Sequence, residues 1–504
     1  METEIELKYL VVNEQVVERI NNLLDGKKYH YTVANNTLTN CYFDTKDLSF
    51  RKHDFGLRVR SKNEQREQTI KTAGQTIGGL HKRPEYNIDI TDNFPDLSLF
   101  PDDIWPKNTN LAQWQDDLIV LFSTDFIRHT WTITYEKSVI ELAFDVGSVS
   151  SSGRELPICE IELELLSGEE AAIFSLAQQL SNVLLMRPGT KSKAARGYQL
   201  WHNQSDEQEI AEFPFIPISG RDTCESALIN GLTFSLSHLQ KVIDSYFNQP
   251  SLSLLSQINH GLLLMRHAFW LFDDSISDEH LLIRKELSHF LKMLAWQNNA
   301  KNLHDIITKQ STFRKKIEYS QKLVKQLKLE ERRFPSTEQV LEMLMSSRFN
   351  QLQLSVLQMI LAGEKGLKAT SEHNQSIFSF CASALEKSLN ALADDISFES
   401  SISAEQYLSY KRILNRSLLT GSWCGQLFDD KARADYRAPW LDIMHGITEL
   451  ETLCMLKQQL LQLQAVEDQP EKLVNWLECK IENLLTALDA SRQMALVVPP
   501  YWRS

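Results

Sequence analysis

The 504-residue sequence lacks features that mark several classes of protein. Its apolar runs are shorter than the roughly 20 residues needed to cross a bilayer, and no cationic segment followed by an apolar one opens the chain. There is no GxxxxGK[ST] loop for nucleotide phosphates. A formal net charge of −13 disfavours general binding of nucleic acid. We therefore expect a cytoplasmic protein with no membrane and no nucleic acid among its partners.

Cysteine is scarce, with seven residues that are scattered and form no CxxC pair. An odd number of isolated cysteines argues against a disulfide framework and fits a reducing compartment. The composition, 42% hydrophobic and 24% charged, is typical of a globular protein. A chain of this length is expected to form two or three domains, each with its own core.

The most informative pattern is the first strand-like run, in which Glu4, Glu6 and Lys8 alternate with Ile5 and Leu7. Successive side chains of a strand point to opposite faces, so the three charged residues share one face. A single strand of this kind most often turns its charges to solvent. Other strands are needed to decide whether this face lines a cavity.

Further strand-like runs repeat the construction, with charged or polar residues on one face and apolar residues on the other. They are Tyr42–Thr45, Leu57–Arg60, Thr69–Lys71, His81–Glu85, Arg128–Thr134, Ile140–Val146 and Glu160–Leu165. About eight such strands within residues 1–202 predict a closed antiparallel β-barrel with flanking helices. The fold class expected for the whole chain is α+β and multidomain.

The charges on these strands are sorted by sign. Carboxylates two residues apart, as in Glu160, Glu162 and Glu164, repel one another unless a divalent cation lies among them, and hard oxygen ligands suit Mg²⁺ or Mn²⁺. The arginines and lysines of facing strands need an anion, and they match phosphate. A metal-bound polyphosphate would satisfy both sets, so the barrel interior is predicted to be a polar tunnel.

The Glu4-x-Glu6-x-Lys8 pattern resembles the N-terminal signature of the CYTH superfamily, the triphosphate tunnel metalloenzymes. The rest of the family's pattern follows in order along residues 1–202. It comprises Tyr42-Phe43-Asp44-Thr45, Leu57-Arg58-Val59-Arg60, Lys71, Arg83-x-Glu85, Arg128, Asp145, the Glu160/Glu162/Glu164 strand and Lys193. The stretches GGLHKRPEY and CEIELELLSG are similar to those of bacterial inorganic triphosphatases that join a CYTH domain to a C-terminal CHAD domain.

The resemblance implies a role for each matched residue. Triphosphate would be held by Lys8, Arg58, Arg60, Lys71, Arg83, Arg128 and Lys193. Metal would be held by Glu4, Glu6, Asp145, Glu160, Glu162 and Glu164. Glu4, Glu6 and Lys8 would be catalytic, with Mg²⁺ as the cofactor and Mn²⁺ as the alternative. The implied reaction is metal-assisted hydrolysis of tripolyphosphate to pyrophosphate and phosphate.

The character of the chain changes after residue 202. Residues 203–218 are polar and then proline-containing, which predicts a linker. Beyond them the apolar period becomes helical, as in the stripe of Leu453, Leu456 and Leu460. Residues 219–490 are predicted to form a bundle of about eight to ten helices, followed by a tail over residues 491–504.

The helical half resembles a CHAD domain, which implies binding of long-chain polyphosphate. The family places a histidine three residues before an arginine in each repeat. Here Leu263 precedes Arg266 at that distance, and Ser409 precedes Arg412. Polyphosphate binding and a packing or interaction role therefore both stay open for this half.

Three functions compete for the whole chain. The first is an inorganic triphosphatase with the barrel as the catalytic unit. The second is a hydrolase or cyclase acting on a nucleotide or on thiamine triphosphate, for which Tyr42 and Trp131 are the candidates to stack on a base. The third is a non-catalytic polyphosphate-binding protein. Passive capture of a polyanion has no use for so many carboxylates, which favours an enzyme.

Overall fold

A computed structural model of the chain describes residues 2–12, 15–62, 65–202, 214–273, 276, 280–308, 321–364, 376–395, 402–464 and 471–503. The chain divides into two compact units. The first comprises Met1–Gln208 and Leu341–Leu357, and the second comprises Glu209–Val340 and Gln358–Ser504. Among the described residues, no helix combines the length and the apolar character needed to cross a membrane.

The first unit is built on one antiparallel sheet. Its strands are β1 (Glu2–Val11), β2 (His30–Thr45), β3 (Gly56–Lys62), β4 (Gln65–Lys71), β5 (Gln75–Ile77), β6 (Leu80–Ile90), β7 (Leu118–Tyr135), β8 (Ser138–Ser151), β9 (Arg154–Ser167) and β10 (Met186–Pro188). Eight of them close into a ring in the order β1-β9-β8-β7-β2-β3-β4-β6, because β6 also pairs with β1. Short β5 and β10 pair with β6 and β1 outside this ring. The predicted eight-stranded antiparallel barrel is confirmed.

Helices accompany the strands of this unit. They are α1 (Val16–Lys27), α2 (Ser49–Lys52), α3 (Leu111–Asp116), α4 (Glu170–Ser181) and α5 (Lys193–His202). The apolar strand faces turn outward, where Trp131 and Leu142 of neighbouring strands are fully buried. Trp131 also donates from Nε1 to Asn21 Oδ1 of α1 at 2.8 Å. Burial of the apolar face outside leaves the charged face of each strand to line the interior.

A second cluster covers the barrel beside β2 and β3. Phe43, Phe50 and Leu57 belong to an apolar cluster completed by the segment after β6, which contributes Leu97 and Phe100. Part of the outer surface of the ring is therefore packed as hydrophobic core, whereas polar side chains line the cavity inside the ring. This inverts the usual arrangement of a small barrel, whose interior is filled by packed side chains.

The rest of the described chain is helical, as predicted. Its helices are α6 (Cys224–Asn248), α7 (Leu252–Leu271), α8 (Leu281–Met293), α9 (Gln297–Ile307), α10 (Gln321–Glu331), α11 (Thr337–Leu344), α12 (Ser347–Glu364), α13 (Ile377–Asp395), α14 (Ala404–Cys424), α15 (Asp430–Gln464) and α16 (Glu471–Val497). The predicted leucine stripe is core, since Leu453, Leu456 and Leu460 are each at most 1% exposed. The described helices number eleven, slightly more than the sequence pattern predicts.

One histidine of the second unit is buried as a neutral ring. His267 on α7 is 7% exposed, and its Nε2 lies 3.0 Å from Thr420 Oγ1 on α14. Burial, reinforced by the charges of Arg416 and Arg266, lowers the pKa of His267 from its ordinary 6.5 to about 3.

Of the predicted linker over residues 203–218, residues 203–213 lie outside the described residues. Residues 214–218 belong to neither a helix nor a strand, and Ile216 N donates to Ser422 O at 2.9 Å. In the predicted tail, α16 continues through residue 490 to Val497, and Tyr501 and Trp502 are buried. Segment Leu341–Leu357 clusters with the first unit, where Asn350 Nδ2 donates to Met186 O at 2.5 Å. No pattern in the sequence indicates that clustering.

Candidate active site

The ring of strands encloses a polar cavity of about 310 Å³. It is lined by Glu4, Glu6, Lys8, Asn40, Tyr42, Gly56, Arg58, Arg60, Glu67, Lys71, His81, Arg83, Glu85, Asn87, Arg128, Glu141, Glu162, Glu164, Ser192, Lys193 and Ala194. These residues come from the inward faces of all eight strands of the ring and from the start of α5. The predicted site residues thus converge, although they are spread over nearly 190 positions of the sequence.

Two of the predicted residues do not reach the cavity surface. Asp145 and Glu160 are fully buried, with 0% exposure, one layer behind the lining. Register explains why they adjoin, since Asp145 lies opposite Glu160 on neighbouring strands β8 and β9. With Glu162 they form a group whose carboxylate oxygens lie within 4.8 Å of one another. We call Asp145, Glu160 and Glu162 the closed acidic group.

Cations already neutralise the closed acidic group. Lys193 Nζ lies 2.6 Å from Asp145, 2.5 Å from Glu160 and 2.8 Å from Glu162. Lys8 Nζ lies 3.2 Å from Glu160 and 2.8 Å from Glu162. These distances place both ammonium groups among the carboxylate oxygens, where a metal would otherwise bind.

Arginines complete this network. Arg128 donates to both oxygens of Asp145 at 2.7 Å, a bidentate pair, and Arg196 contacts Glu160. Burial by itself would raise the pKa of Glu160, but the charges of Lys193, Lys8 and Arg196 outweigh it and lower this pKa to about 2. The same balance places the pKa of Glu162 well below its ordinary value.

A second set of carboxylates, Glu4, Glu6 and Glu164, is compensated less completely, since Lys71 contacts Glu4 alone among them, and we call it the open acidic group. Glu6 lies opposite Glu164 on strands β1 and β9. Glu6 Oε1 is buried and makes no hydrogen bond in the described structure, and Lys8 Nζ lies 3.7 Å from it. Burial, followed by the nearby charge of Glu162, raises the pKa of Glu6 to about 8. Burial and then Glu4 raise the pKa of Glu164 to about 7.

The wall that faces these carboxylates is basic. Arg58 Nη2 donates to Glu85 at 3.1 Å, and Lys71 Nζ lies 3.0 Å from the other oxygen of Glu85. Lys71 also contacts Glu4, so it joins the basic wall to the open acidic group. Arg83 pairs loosely with Asp54 at 3.7 Å. Strands β3, β4 and β6 carry this wall, because adjacent strands place these residues in register.

Several lining residues were not predicted as site residues. Asn40, Glu85 and Glu141 sit at even spacing from predicted residues on their strands, so the alternation itself could have identified them. His81 is 8% exposed. Burial and the charge of Lys8 lower the pKa of its ring to about 4, and its Nε2 lies 3.2 Å from Gly189 O.

The two candidates for base stacking differ in position. Trp131 lies on the outer face and does not line the cavity. Tyr42 does line it, but its ring stacks on Phe122 at 4.6 Å between centroids.

Helix α5, which delivers Lys193, is anchored by a buried carboxylate. Asp44 is 0% exposed and accepts hydrogen bonds from the backbone N of Thr45, Phe50 and Arg51 at 2.7–3.0 Å. Tyr198 of α5 donates its hydroxyl to the same carboxylate at 2.8 Å. The Asp44 position of the YFDT stretch therefore joins the end of β2, α2 and α5, and it does not line the cavity.

A closed barrel with opposed acidic and basic walls offers complementary charge both to anions and to cations. Residues 2–198 match the family model of the CYTH domain. The predicted resemblance is confirmed for these residues.

Two proteins are similar to the N-terminal part of the chain, one in sequence and one among the solved structures. The chain is 35% identical over 206 residues to an inorganic triphosphatase of Haemophilus influenzae, an alignment that covers 40% of this chain and 56% of that relative. The chain thus spans just over half the length of this relative. A protein from Hippeastrum, studied as an adenylyl cyclase and described as having a dominant triphosphatase activity, is 14% identical, with a TM-score of 0.30. That match covers 40% of this chain and 97% of the other.

A solved structure is also similar to the helical part. The CHAD domain of Ricinus communis is 18% identical, with a TM-score of 0.40, and the match covers 57% of this chain and 97% of that domain.

Proposed function

We propose that the barrel is a metal-dependent inorganic triphosphatase that hydrolyses tripolyphosphate to pyrophosphate and phosphate. The observation that supports this most directly is the cavity in which a basic wall faces an acidic group containing a buried carboxylate oxygen, Glu6 Oε1, that makes no hydrogen bond in the described structure. A ligand that meets both walls must itself be a polyanion that brings a cation. The curated triphosphatase relative supports the same class of reaction.

The lining favours a compact inorganic substrate. Among the described residues that line the cavity, Tyr42 is the one Phe, Tyr or Trp, and one face of its ring is covered by Phe122. A nucleobase or thiazole ring would need an apolar surface to stack on, and the other lining residues are almost all charged or polar. An unbranched chain of phosphates can be bound by charged and polar groups alone, and such groups line this cavity on every side.

The open acidic group is more available to the proposed divalent metal than the closed one, although the three carboxylates that lie within 4.8 Å of one another are those of the closed group. Glu6 Oε1 is a buried carboxylate oxygen without a hydrogen-bond donor, which is costly unless a cation reaches it. Glu4, Glu6 and Glu164 would hold Mg²⁺ or Mn²⁺ through hard oxygen ligands. When bound, such an ion polarises phosphoryl oxygens and lowers the pKa of a coordinated water. The closed group offers a metal only sites that Lys8 and Lys193 occupy.

The basic residues have separate tasks in this proposal. Arg58, Arg60 and Lys71 bind phosphoryl oxygens along one wall, and Arg83 extends that wall. Arg128 and Lys193 reach the cavity from the opposite side while remaining tied to the closed acidic group. Fixed positive groups stabilise the charge that develops on the leaving pyrophosphate, because they are held in place before the reaction starts.

Lys8 joins the two acidic groups. It contacts Glu162 of the closed group at 2.8 Å and lies 3.7 Å from Glu6 of the open group. Its pKa is raised well above the ordinary value, because Glu160 and Glu162 outweigh the effect of burial, so it stays an ammonium group. A permanently charged Lys8 can bind the phosphoryl group under attack but cannot serve as a base.

A phosphate-release screen tests the proposal. Purified full-length protein is assayed with tripolyphosphate, ATP, thiamine triphosphate and long-chain polyphosphate, each with Mg²⁺, with Mn²⁺ and with a chelator. We expect metal-dependent turnover that is fastest on tripolyphosphate. A preference for ATP, or formation of a cyclic nucleotide, would replace the proposal with a nucleotide enzyme, and binding without turnover would favour a passive polyphosphate-binding protein.

The first mutational prediction concerns Glu6. Changing Glu6→Gln keeps the size of the side chain and removes a ligand charge, so metal-dependent phosphate release should fall by at least about 100-fold, equivalent to roughly 3 kcal/mol. Glu155→Gln on β9, remote from the cavity lining, is the matched control and should keep full turnover. Unchanged turnover in Glu6→Gln would remove this carboxylate from the reaction.

A further inference from the structure

Arg60 differs from the other cations that line the cavity. Each of the others has a carboxylate within ion-pair distance. The weakest partnered of them is Arg83, whose pair with Asp54 measures 3.7 Å, and the tightest pairs involve Lys71 and Lys193. Arg60 has no carboxylate partner at ion-pair distance within the part of the chain that is described. Its guanidinium is therefore not neutralised inside the barrel.

A neutral relay holds this guanidinium in place. Arg60 Nε donates to Asn40 Oδ1 at 2.8 Å, and Asn40 Nδ2 donates to Thr124 Oγ1 at 2.8 Å. The three residues lie side by side on strands β3, β2 and β7, since Asn40 is in register with both Arg60 and Thr124. Asn40 is 1% exposed and Thr124 is 0% exposed, so solvent does not compete for these hydrogen bonds.

The relay has a defined direction. An arginine can only donate, so Asn40 must turn its oxygen toward Arg60 and its amide NH₂ toward Thr124. Both ends of the amide are thereby fixed, and the two terminal nitrogens of Arg60 remain available to a ligand. An asparagine fixes an arginine in this way without neutralising its charge, whereas an aspartate of the same size would form an ion pair with it.

The surroundings increase the demand for an anion. Burial, the largest effect, lowers the pKa of Arg60 to about 10; the positive charges of Arg58 and Arg128 act in the same direction, and the charge of Glu85 acts against them. Arg60 thus stays charged near neutral pH in a region where positive charge accumulates. A phosphoryl group, which itself carries between one and two negative charges, relieves that accumulation.

We propose that Asn40 and Thr124 are positioning residues that present Arg60 as an unneutralised guanidinium to one phosphoryl group of the substrate. This inference rests on the proposed function for the identity of the substrate. On this inference two uncharged residues, acting through Arg60, control the affinity of the basic wall for tripolyphosphate.

The test uses Asn40→Asp, which preserves shape and the acceptor oxygen but pairs Arg60 with a carboxylate. We expect binding of tripolyphosphate to metal-free protein, measured by calorimetry, to weaken about 10- to 100-fold, the range for losing a charge-assisted hydrogen bond. KM should rise by a similar factor while kcat changes less. Thermal stability should stay the same or increase, because a buried cation gains a partner. A merely structural role predicts that stability and affinity fall together.

Control variants keep the test decisive. Asn35→Asp adds the same charge at an exposed position of the same strand and should leave binding unchanged. Thr124→Val removes the acceptor for Asn40 and should weaken binding, whereas Thr124→Ser should restore it. Should Asn40→Asp fail to fold, the Thr124 pair gives the answer.

The outcomes separate this inference from the proposed function. Wild-type affinity in both Asn40→Asp and Thr124→Val would overturn the positioning role. Absence of tripolyphosphate hydrolysis by the wild type would instead overturn the proposed activity, and the binding measurement would still decide the role of Asn40.

Discussion

Glu160 and Glu6 are both buried on inward faces of strands, but removing their charge should change the stability of the protein in opposite directions. Glu160 is fully buried and contacts Lys193 at 2.5 Å, Lys8 at 3.2 Å and Arg196. In Glu160→Gln the amide can accept from one of these cations, but it leaves the others short of a counter-charge. Removing one partner from a buried ion pair typically costs about 3–5 kcal/mol, and we expect a loss of that size.

Glu6→Gln should instead stabilise the metal-free protein. The pKa of Glu6 in the folded chain is about 8, above its ordinary 4.5, so the metal-free wild type loses stability as the pH rises through this window. The glutamine amide of the variant does not ionise, so the variant lacks that loss. Replacing a buried carboxylate that ionises without a donor by a neutral amide is worth about 1–3 kcal/mol, and we expect a gain in this range at pH 8.

Hydrogen exchange of the amides in β1 and β9 is the suitable assay, because it reports the opening free energy of the barrel separately from that of the helical unit. Measurements are made in chelator at pH 8 and repeated with Mg²⁺. Added Mg²⁺ should stabilise the wild type, as any ligand of the folded state does, and should stabilise Glu6→Gln much less. Equal losses of stability in both variants would refute the division into a closed and an open acidic group.

Two further predictions concern the support of the site and the helical unit. Tyr198→Phe removes the hydroxyl that donates a hydrogen bond to Asp44, and it should lower the free energy of unfolding by about 1.5–3 kcal/mol, the value for a hydrogen bond to a charged group. The control Tyr31→Phe removes an exposed hydroxyl–carboxylate hydrogen bond of the same 2.8 Å length and should cost well under that. Equal costs in urea unfolding would show that burial does not strengthen this hydrogen bond. The pKa of His267 is about 3 in the folded chain against 6.5 in the unfolded chain, so between pH 7.5 and pH 5 only the unfolded chain binds a proton there. Over this change of pH the free energy of unfolding should therefore fall by about 2 kcal/mol more in the wild type than in His267→Gln. His30→Gln, at an exposed position, is the control for that comparison, and identical pH dependence in wild type and His267→Gln would contradict a buried neutral ring.

The sequence predicts the barrel well because a strand period of two is a local property. The alternation in β1 and in the strands around Arg58 and Glu162 places their charges inward in the structure, as expected. The strand period does not predict that Asp145 and Glu160 lie behind the cavity surface, because their burial depends on cations from distant parts of the chain that pack against them. The same limit applies to segment Leu341–Leu357, whose apolar period predicts a helix but not the unit it joins.

Binding of long-chain polyphosphate by the helical unit stays a prediction. Leu263 lines a polar cavity of about 220 Å³ between helices of this unit, together with His238 and His260. Arg266 donates to Ser288 Oγ at 2.7 Å, on the neighbouring helix α8. A pull-down of long-chain polyphosphate with the full chain, compared with Arg266→Ala, would show whether these positions matter to the polymer.

The contrast between the two acidic groups follows from where cations reach the barrel. Lys8 lies opposite Glu162 on β9, two residues from the pair formed by Glu6 and Glu164. Helix α5 adds Lys193 on the side of Glu162, and its position depends on the hydrogen bond from Tyr198 to Asp44. In the described structure no such helix adds a cation beside Glu6 and Glu164. The strand pattern therefore predicts carboxylates on one face of each strand, and long-range packing decides which of them pair with cations of the protein and which of them, on the proposed function, are available to a metal.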